Sequence, residues 1–219
     1  MKQHMERLLA IAHLSLFFLP FGLLSCAQSC PCPTQPPKKH SSWLAIFSRS
    51  CRCPQPPPTQ RIVVSVEQQV MVTFENNTPK KRYPVSTSKF GLGDKLRSNQ
   101  TPLGRLEVLD IIGEGLPKGS LLRGREPTGQ ILRANTPGCD AIVTRILRLR
   151  GKEPQNAHAF KRCIYIHGTT AEKCLKTAAS WGCVRMGSRD IIRLCHWVTP
   201  GTRVDIVPGR LPSPEMLPQ

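Results

Sequence analysis

Acidic residues are scarce in this chain. Of its 219 residues, 14 are Asp or Glu against 31 Lys or Arg, a formal charge of +17. So one-sided a balance points to an anionic partner: a nucleic acid, an anionic membrane surface or an acidic wall polymer. Aromatic residues are also few, at 5%. Nucleic-acid modules interleave basic residues with exposed aromatics or carry a recognisable fold. Neither pattern is present, so no nucleic acid is expected. The spacings C-x2-C and H-x3-H, common frameworks of a zinc site, are missing. No internal repeat occurs, which excludes a solenoid. Long apolar runs are confined to the N-terminus.

That run defines a compartment. Lys2 and Arg7 precede the uncharged stretch LLAIAHLSLFFLPFGLL, so residues 1–25 read as an export signal rather than part of the fold. It ends Leu23-Leu24-Ser25-Cys26, which resembles a bacterial lipoprotein box. By that resemblance Cys26 becomes the lipidated N-terminus of a membrane-anchored protein of the cell envelope, facing the periplasm. An ordinary cleaved signal and an uncleaved anchor are the alternatives, and all three place the protein outside the cytoplasm. Residues 26–60 follow as a tether. Segments such as PCPTQPPKKH and CPQPPPTQ cannot pack a core and favour polyproline II, with a reach of about 100 Å when fully extended. Cys30, Cys32, Cys51 and Cys53 form two C-x-C pairs there, suited to a redox staple or to reactive surface thiols.

From residue 61 to about 208 the pattern becomes globular, leaving 209–219 as a C-terminal tail. RIVVSVE, QVMVTFE and KKRYPVSTS predict a three-stranded meander, with Val70, Val72 and Phe74 on one face. RLEVLDII, AIVTRILRLRG and RCIYIHG predict further strands, the last with Ile164 and Ile166 on one face and Cys163, Tyr165 and His167 on the other. Thr169-x-x-Glu172 is a capping-box pattern. It predicts a helix with the stripe Ala171, Cys174, Leu175 and Ala178. Ser188 is placed to cap a second, with Ile191, Leu194, Cys195 and Val198 on its apolar face and Pro200-Gly201 at its end. TRVDIV closes the domain as a strand. The class expected is mainly β with a few short helices.

Five cysteines fall in this domain, and they are not equivalent. Cys174 and Cys195 lie on apolar helix stripes and read as core residues. Cys139 and Cys163 have no assignable role. Cys183 follows Gly182 in a turn between two helical stretches and precedes Arg185, whose charge favours a thiolate. Successive amides in such a turn can converge on one oxygen. A zinc site built on Cys163 and His167 fails on geometry, because four residues along a strand separate them by about 13 Å; His167 with Cys183 and one further ligand stays open, without a supporting spacing. A strand-end histidine facing a turn cysteine suits thiol chemistry, in which imidazole exchanges the thiol proton and turn amides hold an oxyanion. Two ordinary core residues remain the plain alternative.

His167-Gly168-Thr169, followed by Ser180-x-Gly182-Cys183-Val184-Arg185-Met186 and Asp190, resembles the signature of the L,D-transpeptidases with a YkuD-type catalytic domain. YPVSTS, TPLG, TRILRLRG and RCIYIHG extend the likeness over residues 61–208. One position departs: Trp181 stands where the family usually has histidine, so no role of that histidine carries over. The resemblance implies an L,D-transpeptidase-like β-sandwich or barrel. It implies an enzyme acting on peptidoglycan stem peptides, with Cys183 as nucleophile, His167 as general acid and base, and the Gly168 carbonyl orienting the imidazole. Gly182 would supply an oxyanion amide, and Ser180, Trp181 and Arg185 would line the oxyanion and substrate side. The implied product is a 3→3 cross-link formed through a thioester, without metal or organic cofactor. An L,D-carboxypeptidase using water, and a non-catalytic wall-binding or structural envelope protein, are the alternative readings.

Overall fold

Alternating β-branched residues become strands here because every second side chain finds a core. The computed structural model describes residues 59–211 except Cys139. The expected signal, lipidated Cys26, the tether with Cys30, Cys32, Cys51 and Cys53, Cys139 and most of the tail lie outside the described residues. The meander is present as β1 (Gln60–Ser65), β2 (Val70–Glu75) and β3 (Thr78–Ser86), paired antiparallel in sequence. Val72 and Phe74 meet Val63 in a small outer cluster with Val70 alongside, while Ile62, Val64 and Met71 turn into the main core.

The remaining strands are β4 (Gly104–Ile112), β5 (Ser120–Arg123), β6 (Glu126–Ile131), β7 (Ile142–Gly151), β8 (Tyr165–Thr169), β9 (Val184–Met186) and β10 (Arg203–Val207). They run in the order β4-β10-β1-β2-β3-β9-β8-β7, and β4 also pairs with β7. Eight strands therefore close on themselves, and the β5–β6 hairpin extends from β7. This is the mainly β barrel expected, with one α-helix, α1 (Ser188–Trp197), among the described residues. The stripe Ile191, Leu194, Cys195 and Val198 is buried in the main core beside Leu147, Ile166 and Val184, as its spacing predicts. Each such side chain contributes roughly 1.5–3 kcal/mol when fully buried.

Two helix expectations need correction. Thr169 does not open a helix; it completes β8, and only a single 3₁₀ turn forms at Glu172–Cys174. The Thr169 hydroxyl accepts the Ala171 N–H (3.0 Å), closing a tighter turn than a helix cap makes. Glu172 accepts the N–H of Ser188 (2.8 Å) instead of completing a capping box. Without a helix there is no stripe: Ala178 is exposed and Cys174 only half-buried, so Cys174 is not a core residue. Ser188 is likewise not the cap of α1, because Gly187 occupies that position.

The segment between β8 and β9 has a topological task. These two strands pair in parallel, with Ile166 opposite Val184, His167 opposite Arg185 and Gly168 opposite Met186. A parallel pair needs a crossover of a dozen or more residues, and residues 170–183 supply it. Cys183 thus lies immediately before a strand, not between two helices.

Candidate active site

The parallel register decides which side chains meet. Ile166, Val184 and Met186 face the core, so by strand alternation Tyr165, His167, Cys183 and Arg185 share the opposite face. His167 and Cys183, sixteen residues apart, come together through the crossover. Asp140, Ile142, His167, Trp181, Cys183 and Arg185 line one cavity of ≈ 320 Å³.

His167 is buried, and its Nδ1 lies 2.8 Å from the carbonyl oxygen of Gly168. With Nδ1–H as donor, Nε2 keeps its lone pair. Gly168 has little alternative: a Cβ there would meet the Val143 carbonyl oxygen at 2.4 Å. Burial, the dominant influence, lowers the His167 pKa to about 4, against the Gly168 hydrogen bond, which raises it. The imidazole is therefore neutral at physiological pH.

The Cys183 thiol donates to the carbonyl oxygen of Cys163 (3.3 Å), and its sulfur accepts the Tyr165 N–H (3.4 Å). Burial pushes the thiol up to about 11; the Tyr165 N–H and then Arg185 pull the other way without overcoming it. The expectation that Arg185 makes Cys183 a thiolate is therefore corrected. Asp140 also forms an ion pair with Arg185, so the guanidinium does not face the sulfur as an uncompensated charge. The resting pair is a thiol and a neutral imidazole.

The turn that presents Cys183 is braced from within. Ser180 Oγ donates to the Cys183 carbonyl (2.6 Å) and accepts the Gly182 N–H (3.2 Å). Thr101 Oγ1 donates to the Gly182 carbonyl (2.9 Å), and Lys89 N–H donates to the Ser180 carbonyl (3.1 Å). Gly182 sits at φ +116°, and a Cβ would come 3.2 Å from the Gln100 carbonyl oxygen. Ser180 is fully buried. Its expected place on the substrate side is thus replaced by a bracing one, and the Gly182 amide is already occupied.

Trp181 is the exposed wall of the cavity, 57% accessible. Its ring lies 4.9 Å from that of Phe90, centroid to centroid, with the Lys89 ammonium 4.7 Å above it. Asp190, part of the sequence signature, pairs with Arg193 on α1 and does not line this cavity. Asp140 and Cys163 do approach the site, although the sequence pattern assigned neither a role. Asp140 stands just before a predicted strand, and the β7–β8 and β8–β9 pairings together bring it to Arg185.

Residues 59–206 match the sequence model of the YkuD L,D-transpeptidase catalytic domain. The chain is similar to a putative L,D-transpeptidase YkuD of Bacillus licheniformis, 46% identical over 43 residues, which are 20% of this chain and 26% of that protein. Its fold is similar to L,D-transpeptidase 3 of Mycobacterium tuberculosis, solved in complex with a faropenem-derived adduct. That match has 16% identity and a TM-score of 0.46, over 68% of this chain and 60% of the other. The L,D-transpeptidase of Xylanimonas cellulosilytica matches at 16% identity and a TM-score of 0.45, over 70% and 63%. The chain spans less than two-thirds of these solved structures and 26% of the curated relative. With the family pattern running through more than half of its length, from β1 to β10, the chain belongs to the L,D-transpeptidase catalytic domain family of the YkuD type.

Proposed function

We propose that the protein is a cysteine-dependent L,D-transpeptidase that forms 3→3 cross-links between peptidoglycan stem peptides in cell wall biogenesis. The observation that carries this reading is the meeting of Cys183 and His167 in one cavity, with the imidazole held neutral by its surroundings and oriented by Gly168. Cys183 Sγ attacks the carbonyl carbon of the third residue of a tetrapeptide stem. His167 Nε2 takes the thiol proton as the S–C bond forms and delivers it to the nitrogen of the departing D-alanine. An amine of a second stem then attacks the thioester carbonyl, and the proton it loses returns through His167 to the sulfur.

Because both groups rest neutral, the proton moves with the attack and not before it. General acid–base transfer of this kind is worth about 10²–10⁴ in rate. The Gly182 amide is engaged by Ser180, so the Cys183 amide is the donor assigned to the oxyanion. One such donor contributes about 2.7–4 kcal/mol. Arg185, with Asp140 beside it, offers a carboxylate of the stem peptide a cation at the cavity wall. The excess of basic residues suits an acidic wall polymer. Export of the chain, lipidation at Cys26 and a place at the envelope membrane belong to the same proposal, since the substrate lies outside the cytoplasm.

The test is mass spectrometry of the full chain and of Cys183→Ala after incubation with a carbapenem, then with a tetrapeptide stem. Wild type is expected to gain one adduct and to yield 3→3 dimers; Cys183→Ala gains none while keeping its fold. An adduct that persists in Cys183→Ala would place the nucleophile elsewhere. Release of D-alanine with tripeptide as sole product would make the protein an L,D-carboxypeptidase. A folded wild type that takes no adduct and turns over no stem peptide would leave a wall-binding protein.

A further inference from the structure

Cys163 lies outside the cavity, yet it is the residue whose carbonyl holds the Cys183 thiol. The 3.3 Å from Cys183 Sγ to the Cys163 carbonyl oxygen limits how far apart the two residues can be. A carbonyl oxygen stands about 2.4 Å from its own Cα, by standard backbone dimensions. Cys183 Sγ is therefore within about 5.7 Å of the Cys163 Cα by the same geometry. A disulfide places each sulfur roughly 3 Å from the opposite Cβ, within Cα separations of about 4.4–6.8 Å. Closing that gap needs rotation of both side chains, with the Cys163 thiol leaving the Tyr165 side chain that it hydrogen-bonds.

The local backbone supports the approach. Cys163 takes φ +56°, and its N–H donates to the Phe160 carbonyl (3.1 Å), so a tight turn at the entry to β8 fixes its position. Its side chain is exposed, while Cys183 is half-buried behind it. The two thiols are also close enough to feel each other: a charged Cys163 opposes ionisation of Cys183. Cys174 and Cys195 offer no such relation, since Cys195 is buried in the core and Cys174 sits on the crossover.

We propose that Cys163 and Cys183 form a reversible disulfide that masks the nucleophile, with a low-molecular-weight disulfide as oxidant. The Cys163 thiolate, the accessible one, attacks one sulfur of the oxidant and expels the first thiolate. Cys183 then attacks Cys163 Sγ, expelling the second and giving up its proton to solvent. Two protein thiols are oxidised and one small disulfide becomes two thiols. The bond itself is independent of the transpeptidase reading; its consequence for activity rests on that reading.

The experiment uses the full chain equilibrated with mixtures of reduced and oxidised glutathione, alkylated, cleaved with trypsin and analysed by mass spectrometry. In parallel, each sample is challenged with a carbapenem before and after dithiothreitol. The expected product is a linked pair of residues 163–173 and 177–185, the tryptic peptides bearing Cys163 and Cys183. Acylation is expected to fall at least tenfold as that pair accumulates and to return with dithiothreitol. Cys163→Ser is expected to keep, under oxidation, most of the acylation it shows when reduced. The proposal is overturned if the linked pair is missing at every glutathione ratio, or if Cys183 is found linked to another cysteine. It is also overturned if Cys163→Ser loses acylation as wild type does. The linked peptide is read on wild type, so the result does not depend on the variant folding. A wild type that forms the pair but takes no carbapenem when reduced would fail the transpeptidase reading and leave the disulfide standing.

Discussion

The barrel contains two parallel strand pairs, β1–β10 and β8–β9, and they use the same backbone geometry for different ends. The face of β1–β10 turned away from the main core carries Arg61, Val63, Arg203 and Asp205. Its arginines reach solvent while their carboxylate is largely covered: Arg61 lies over Phe74 (4.9 Å), and Arg203 pairs with Asp205 (2.8 Å), whose side chain is 14% exposed. The matching face of β8–β9 carries Tyr165, His167, Cys183 and Arg185, and three of these are nearly shut off from water. The difference is desolvation. At β1–β10 both arginines keep solvent contact on either side of Asp205, and pairs of that kind contribute about 1 kcal/mol or less. At β8–β9 burial lowers the basicity of His167, raises the Cys183 thiol and leaves Arg185 dependent on Asp140. Strand geometry is common to both faces, so chemistry here follows from which titratable groups lose their water.

The largest way to break this comparison is to remove the imidazole. His167→Ala is expected to slow single-turnover acylation by about 10²–10⁴, whereas Arg203→Ala should leave it within twofold. Comparable losses would mean that the β8–β9 face is not the reactive one. The pH dependence has a defined sign. His167 is protonated near 6.5 in an unfolded chain but only near 4 in its buried place. Between those values the unfolded chain binds a proton that the fold refuses. The corresponding stability is complete above about pH 6.5 and is lost as pH falls toward about 4. Acylation by the folded protein should instead hold through this window and fall only near pH 4, where the buried imidazole gains its proton. A plot of thermal midpoint against pH should slope over this window in wild type and flatten in His167→Gln; an unchanged slope would remove His167 as its source.

A smaller effect sharpens the contrast between a buried arginine and solvent-accessible ones. Asp140→Ala leaves the Arg185 guanidinium buried without its carboxylate, and a charged group so stranded costs about 3 kcal/mol, above the usual range for a neutral one. Asp205→Ala removes the carboxylate shared by Arg61 and Arg203, both of which keep solvent contact, and should cost about 1 kcal/mol or less. Urea unfolding of both variants tests the ranking. Equal losses would show that Arg185 finds water or another acceptor once Asp140 is gone.

Much of this was legible in the sequence, and the exceptions have physical causes. The meander, β4, β7 and the α1 stripe were visible because each buries one face and so keeps a period. The β5–β6 hairpin was not. Its second strand is exposed along its whole length and carries no alternation, and the turn is signalled only by Gly124-Arg125, both at positive φ. The helix expected after Thr169 failed because a parallel crossover and the Glu172–Ser188 contact outweighed a local capping pattern. At the site, His167 and Cys183 stood out by residue type and spacing. Asp140 and Cys163 did not, since register and a left-handed turn bring them in, and neither is written in a motif. Ser180 was misplaced for a related reason: a hydroxyl beside a nucleophile suits substrate binding or turn bracing equally well until its partners are known.

The smallest effect is expected at Trp181, and it tests whether the reactive face needs a second imidazole. The turn is held by Ser180 Oγ, the Gly182 amide and Thr101, none of which involves the indole. Trp181 contributes an exposed wall, tilted against Phe90 and covered by the Lys89 ammonium. An indole N–H can donate one hydrogen bond but does not titrate near neutral pH. In the proposed mechanism thiol activation then falls to His167 alone, with the oxyanion left to a backbone amide. Trp181→His should keep the turn and retain acylation within about tenfold, roughly 1.4 kcal/mol of barrier. The change from wild type should be flat across pH 5–8, because a histidine so exposed would add a proton carrier at the cavity wall without taking the place of the buried His167. Acylation rates of wild type, Trp181→His and His167→Ala over that range decide the point. Should wild type be inert and Trp181→His gain acylation that follows the titration of the new imidazole, the second histidine would be the working base. His167 would then be a buried strand residue, and this chain a family member that has lost the reaction.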